Sequence, residues 1–160
     1  MQSKHAQHDT ASHSWQRDGC FGCGAANPAG LQLKFVLSPG GRSYVCEFEL
    51  GAQFGGPPGH AHGGIIATIL DEAMGKANKL KGKIALTRSL EVDYLRPVPL
   101  DQPLVAEGRV SLMRGRALYN QAELRSAAGV VLARSRAKFL TIDAEKMFAR
   151  ELAEERRQSR

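Results

Sequence analysis

A carboxylate acts on a bound molecule only where something else can come close to it, and Asp71 has such a setting. It falls in the stretch from Ile65 to Leu80, where Ile65, Ile66, Ile69, Leu70, Ala73, Met74 and Ala77 recur at helical spacing. At about 100° per residue this stripe fills one arc and leaves Gly64, Ala67, Thr68, Asp71, Gly75 and Asn78 in another. Asp71 thus has neighbours of little bulk, which leaves room for a ligand; an ordinary exposed acid is the competing account. Glu72 lies on a different line, four residues before Lys76, and an ion pair on a wet helix face explains it without chemistry. His62-Gly63-Gly64 opens the same helix. Backbone N–H groups there are unpaired at the positive end of the helix dipole and can hold an oxyanion, although a turn that only caps the helix accounts for the glycines as well.

Gly64 and Asp71 are seven residues apart, about 10 Å along a helix. Groups that act on one centre must sit about 3 Å from the reacting atoms, so the two do not readily serve the same centre within one helix. A second copy, related by a two-fold axis, brings the helix start of one subunit to the acid of the other and creates two equal sites.

The elements that position these residues follow from periodicity. Leu31, Leu33, Phe35 and Leu37 alternate with polar residues, Ser38-Pro39-Gly40-Gly41 makes a turn, and a second run from Val45 to Leu50 completes a hairpin. Residues 51–64, GAQFGGPPGHAHGG, are too rich in breakers for helix or strand, and a loop of that length usually carries function or covers a site. After the helix, strands are expected from Leu86 to Leu95, Leu104 to Met113, Ala117 to Arg125 and Val130 to Thr141. Short turns make the last of these antiparallel neighbours. The fold class is therefore α+β, an antiparallel sheet of about six strands curled around one central helix. Residues 1–18 are expected to be a mobile polar tail, with His5, His8 and His13 irregularly spaced. Residues 19–142 form the domain, and 143–160 a charged, partly frayed helix docked by Met147, Phe148 and Leu152.

Composition narrows the function classes. The formal charge of +6 suits a polyanionic partner, but an aromatic content of 6%, with no aromatic residues interleaved among basic ones, disfavours nucleic acid. No apolar run is long enough to span a bilayer, and the N-terminal stretch lacks the apolar core of a secretory signal. A cytoplasmic protein without membrane contact is expected. Three cysteines do not make a disulfide framework. Cys20 and Cys23 form C-x-x-C, yet a structural zinc takes four ligands, and only Cys46, His60 and His62 stand available to complete it. No metal is expected.

The motifs together resemble the PaaI-like branch of the hotdog acyl-CoA thioesterase superfamily over about residues 19–142. They are Cys20-Phe21-Gly22-Cys23-Gly24 with Asn27-Pro28 and Gly30-Leu31, then Gly59-His60-Ala61-His62-Gly63-Gly64 with Asp71 nine residues after His62, then Leu86-Thr87 and Asp93-Tyr94-Leu95-Arg96-Pro97-Val98-Pro99-Leu100. The resemblance implies a sheet wrapped around a helix, a homodimer or a dimer of dimers (a homotetramer), and hydrolysis of an acyl-CoA without any cofactor beyond the CoA of the substrate. A non-catalytic module that binds or senses acyl-CoA is the alternative. Carried over, Asp71 is nucleophile or general base, the Gly63 or Gly64 N–H polarises the thioester carbonyl, His62 orients that loop, and Thr87 helps hold the water or the acid. Plain strand alternation instead puts Thr87 with Ser89, Glu91 and Asp93 on an outer polar face. Arg134, Arg136 and Lys138 alternate as a basic stripe, open either to CoA phosphates or to solvent. Phe54 is a candidate pocket wall or a staple under the long loop. The family resembled carries similar cysteines without metal, so Cys20 and Cys23 are expected to pack under the loop.

Overall fold

A computed structural model describes residues 19–158; the expected N-terminal tail with His5, His8 and His13 lies outside the described residues. The first hairpin joins β1 (Val36–Leu37) and β2 (Tyr44–Phe48) through the expected turn, antiparallel with Val36 opposite Val45. The strand is shorter than the alternation from Leu31 suggests. The amides of Leu31 and Leu33 donate to the carbonyls of Phe21 and Gly22 at 2.8 and 2.9 Å, so this backbone is satisfied by the cysteine loop rather than by a sheet ladder.

The remaining elements are α1 (Gly63–Ala77), β3 (Ala85–Tyr94), β4 (Leu104–Arg114), β5 (Ala117–Ser126) and β6 (Val131–Thr141). They build a six-stranded sheet of order β1-β2-β4-β5-β6-β3, and every pairing is antiparallel. The short turns make β4, β5 and β6 a meander, while β3 closes the far edge against β6. The fold is the expected hotdog, a sheet wrapped on one helix.

Helix α1 starts two residues before the first periodic apolar position, because His62 caps it. Its Ile66, Ile69, Leu70, Ala73 and Met74 are buried with Leu104, Ala106, Leu118, Leu124 and Phe139 of the sheet. Helix and sheet come closest at Gly108, where a Cβ would lie 2.1 Å from the Ala73 carbonyl oxygen. Any side chain there forces the helix off the sheet. The far end of the helix corrects one expectation. Asn78, placed on the open arc by its position, is buried, and its Oδ1 accepts from Asn120 Nδ2 at 2.7 Å, while the same amide nitrogen donates to the Met74 carbonyl at 2.8 Å. The helix tightens into a short 3-10 turn over Asn78–Lys81, and Asn120 of β5 covers its first residue.

The long loop contains a 3-10 turn, Ala52–Phe54, and is strapped down by backbone bonds from Ala61 to Val98 and from Leu100 to Gly59. At the C-terminal end, α2 (Ala144–Met147) and α3 (Ala149–Gln158) replace one continuous helix; Leu152 is buried, whereas Met147 stands exposed. Among the described residues no helix is long and apolar enough to cross a membrane.

Candidate active site

Asp71 sits midway along α1, partly buried, and Thr87 Oγ1 donates to its Oδ1 at 2.8 Å. Plain alternation puts Thr87 on the outer face, and the structure overturns that reading. The β3–β6 register steps from Thr87 opposite Phe139 to Ser89 opposite Lys138, which leaves Arg88 as an extra, unmatched residue. Such a bulge exchanges the faces on either side of it. Thr87 consequently shares the helix-facing side with Leu90, Val92 and Tyr94, and its hydroxyl reaches Asp71.

Burial lifts the Asp71 carboxyl above its ordinary range, the Thr87 hydrogen bond works against this, and the nearby Glu72 charge adds to it. Among the described residues no cation pairs with Asp71. A carboxylate short of water and of counter-charge is a stronger base than its solvated counterpart.

At the helix start, His62 Nδ1 accepts from the Gly64 N–H at 2.9 Å, and the His62 carbonyl takes the N–H groups of Ile65 and Ile66. The Gly64 donor is therefore occupied by the cap. Of the two glycine donors, Gly63 N–H is the one with no hydrogen bond among the described residues. The loop below is held in turn, since the His62 N–H donates to the Phe54 carbonyl at 2.9 Å while the Phe54 side chain packs against the core. Tyr94, a residue that sequence reasoning treated only as part of a motif, donates its hydroxyl proton to the Gly63 carbonyl at 3.0 Å. Its side of β3, shared with Leu90 and Val92, was the available signal. Gly63 and Asp71 occupy the first and second halves of one helix, about 12 Å apart by helical rise.

The basic stripe lies elsewhere. Arg134 and Arg136 project from the outer face of β6 and pair with Asp93 at 3.1 Å and Glu91 at 2.6 Å, and Lys138 lies over the Tyr119 ring. Within one protomer the sheet stands between these groups and Asp71.

Glu72 also departs from expectation. Its ion pair with Lys76 is present at 3.5 Å, but both side chains are only about a fifth exposed rather than on a wet face. The loop carrying Cys20 and Cys23 covers them, and Lys76 Nζ donates to Cys23 Sγ at 3.1 Å. Burial, with the Glu72 carboxylate beside it, pushes the Cys23 thiol up to about 12 despite the neighbouring Lys76.

Residues 58–133 match the family model described as the thioesterase superfamily. The chain is 35% identical over 97 residues to acyl-coenzyme A thioesterase THEM4 of Xenopus laevis, an alignment covering 61% of this chain and 44% of that protein. It spans about half the length of the curated relatives it matches. Among solved structures, a thioesterase superfamily protein superimposes with a TM-score of 0.73 at 31% identity, covering 77% of this chain and 60% of that one. The E. coli PaaI protein (TM-score 0.63, 22% identity, 70% of this chain and 80% of that one) shares the fold. So does a Bacillus halodurans protein solved with CoA (TM-score 0.63, 23% identity, 70% and 75%). With the HGG helix start, Asp71 and most of the sheet inside the matched segment, and the same layers in its structural neighbours, the chain carries the hotdog fold and its segment 58–133 matches the thioesterase superfamily.

Proposed function

We propose that the protein hydrolyses acyl-CoA thioesters to free acid and CoA, at sites formed where two copies of the chain meet. The observation that carries this reading is Asp71, a desolvated carboxylate with a hydroxyl partner and, among the described residues, no cation. Relatives named acyl-coenzyme A thioesterases and a fold neighbour solved with CoA point the same way.

In this mechanism the Gly63 N–H of one protomer polarises the thioester carbonyl, with the His62 ring and the Tyr94 hydroxyl fixing the adjoining Gly63–Gly64 peptide. Asp71 of the other protomer supplies the base or the nucleophile, and Thr87 orients it. The roughly 12 Å between helix start and acid within one protomer supports sharing. The free edge of β3 supports it too, since a ten-residue edge strand carrying exposed Leu86, Leu90 and Tyr94 is suited to pairing with its own copy. Dimers paired again into tetramers fit the same reading. No cofactor is required beyond the CoA of the substrate. Three free thiols suit a reducing compartment, and we assign the protein to the cytoplasm.

Thiol release from short, long and aromatic acyl-CoAs tests the activity. Wild-type turnover that disappears in Asp71→Asn supports it; tight acyl-CoA binding without thiol release identifies a sensing or carrier module instead. A single turnover in 18O-labelled water separates the two chemical routes. Label in the Asp71 carboxyl indicates an anhydride intermediate opened at the enzyme carbonyl, and trapping of an acyl group on Asp71 by hydroxylamine detects one opened at the acyl carbon; labelled acid with neither signal indicates water attack.

A further inference from the structure

We propose that Cys20, Cys23 and Glu72 form a site for one thiophilic divalent cation of the zinc class, with Lys76 as its charge-balancing neighbour. The two sulfurs and a Glu72 carboxylate oxygen lie within 4.8 Å of one another, although they come from two separate segments of the chain. Around a tetrahedral zinc, bond lengths of about 2.3 Å to sulfur place two sulfurs about 3.8 Å apart. The present separations, at most 4.8 Å, exceed that by about an ångström, which is within the reach of side-chain rotation.

The backbone is already bent for this purpose. The Gly24 N–H donates to the Cys20 carbonyl at 2.9 Å, Asn27 Nδ2 ties down the Gly19 carbonyl at 3.1 Å, and Leu31 and Leu33 hold Phe21 and Gly22 from the other side. Glu72 is seated directly on this loop. A Cβ at Gly22 would come within 2.5 Å of Glu72 Oε2, so glycine is what lets the carboxylate in.

Charge and softness choose the ion. Two thiols bind by releasing two protons to solvent, and two thiolates with one carboxylate carry one negative charge more than a divalent ion neutralises. The Lys76 ammonium, 3.1 Å from Cys23 Sγ, supplies the missing positive charge as a donor to the bound thiolate. Thiolate ligands favour zinc over magnesium or calcium. Cys20 is exposed, so water completes the fourth position. This assignment replaces the packing role expected for the cysteine pair, and it gives chemistry to Glu72. The ion ties the segment around residues 20–33 to α1, one residue from Asp71.

The test uses the full chain, reduced with a non-chelating phosphine, and titrates it with cobalt(II) as a spectroscopic stand-in for zinc. One equivalent should produce a thiolate-to-cobalt charge-transfer band that zinc then removes. Cys20→Ser, at an exposed position and checked for folding by circular dichroism, should abolish the band. Lys76→Met should weaken binding about tenfold, and Glu72→Gln by more. Asp71→Asn should bind cobalt as wild type does, which separates this site from the hydrolytic one. Absence of the band in folded wild-type protein, or its persistence unchanged in Cys20→Ser, overturns the proposal.

Discussion

Asp71 and Glu72 are consecutive acids on one helix, yet they stand in opposite electrostatic situations. Glu72 faces the cysteine loop, where Lys76 shares its burial and holds its charge. Asp71 faces β3, where among the described residues a single hydroxyl meets it, and burial raises its pKa. One turn of helix therefore carries a compensated carboxylate and an uncompensated one. The difference shows how a protein keeps one acid quiet and another reactive: it supplies or withholds a cation.

The largest expected effect comes from neutralising the uncompensated acid. Asp71→Asn should lower kcat by about 10²- to 10⁴-fold and should also raise the melting temperature at neutral pH. The folded-state pKa of Asp71 lies above its unfolded value of 3.8, so the native state binds the proton more tightly. Its contribution to stability falls as pH rises through the window between those two values. Melting curves at pH 7 and near pH 3 should show the advantage of the asparagine variant shrinking in acid. If Asp71→Asn is instead less stable at pH 7, the contrast with Glu72 is lost.

Gly63→Pro comes next, because it removes one N–H while suiting the first position of a helix. His62, ahead of it, is already extended at φ −66 and ψ 138, as a residue before proline must be. The Tyr94 ring, 3.6 Å from where a Cβ would sit, is at ordinary contact. Loss of this donor should cost about 10²- to 10³-fold in kcat, with helix content by circular dichroism unchanged.

Thr87→Ala should act more mildly, by about tenfold, and it has a distinctive signature. The hydroxyl holds the Asp71 pKa down against burial. Its loss should therefore move the acid limb of the kcat/KM profile to higher pH; a limb that stays in place would mean the hydroxyl does not serve the ionised acid. The smallest change in turnover is expected from Lys76→Met. Breaking its pair with the largely buried Glu72 should cost about 3 kcal/mol of stability, with thioester turnover within about twofold of wild type.

Much of this arrangement is legible in the residues themselves. The apolar spacing from Ile65 to Ala77 identifies the central helix, and the small residues beside Asp71 mark its open side. The meander of β4, β5 and β6 follows from turns too short for anything but antiparallel neighbours. Three features were hidden, each for a physical reason. The face of Thr87 depends on an extra residue in the ladder, and period-two reading is blind to that. The burial of Glu72 depends on a loop some 50 residues earlier folding over it, a long-range contact that helical spacing does not carry. Which glycine N–H stays open depends on whether His62 turns its Nδ1 onto Gly64, a local choice between two adjacent donors.

The unmatched Arg88 makes the edge strand read in two frames. Upstream of it the odd-numbered positions look inward, and downstream the even-numbered ones do, so Thr87 and Tyr94 end up serving the same cleft from opposite parities. The extra residue is what lets an odd-numbered threonine and an even-numbered tyrosine share one face of a single strand. The reactivity of this fold is thus tuned by counting residues along its rim as much as by choosing them.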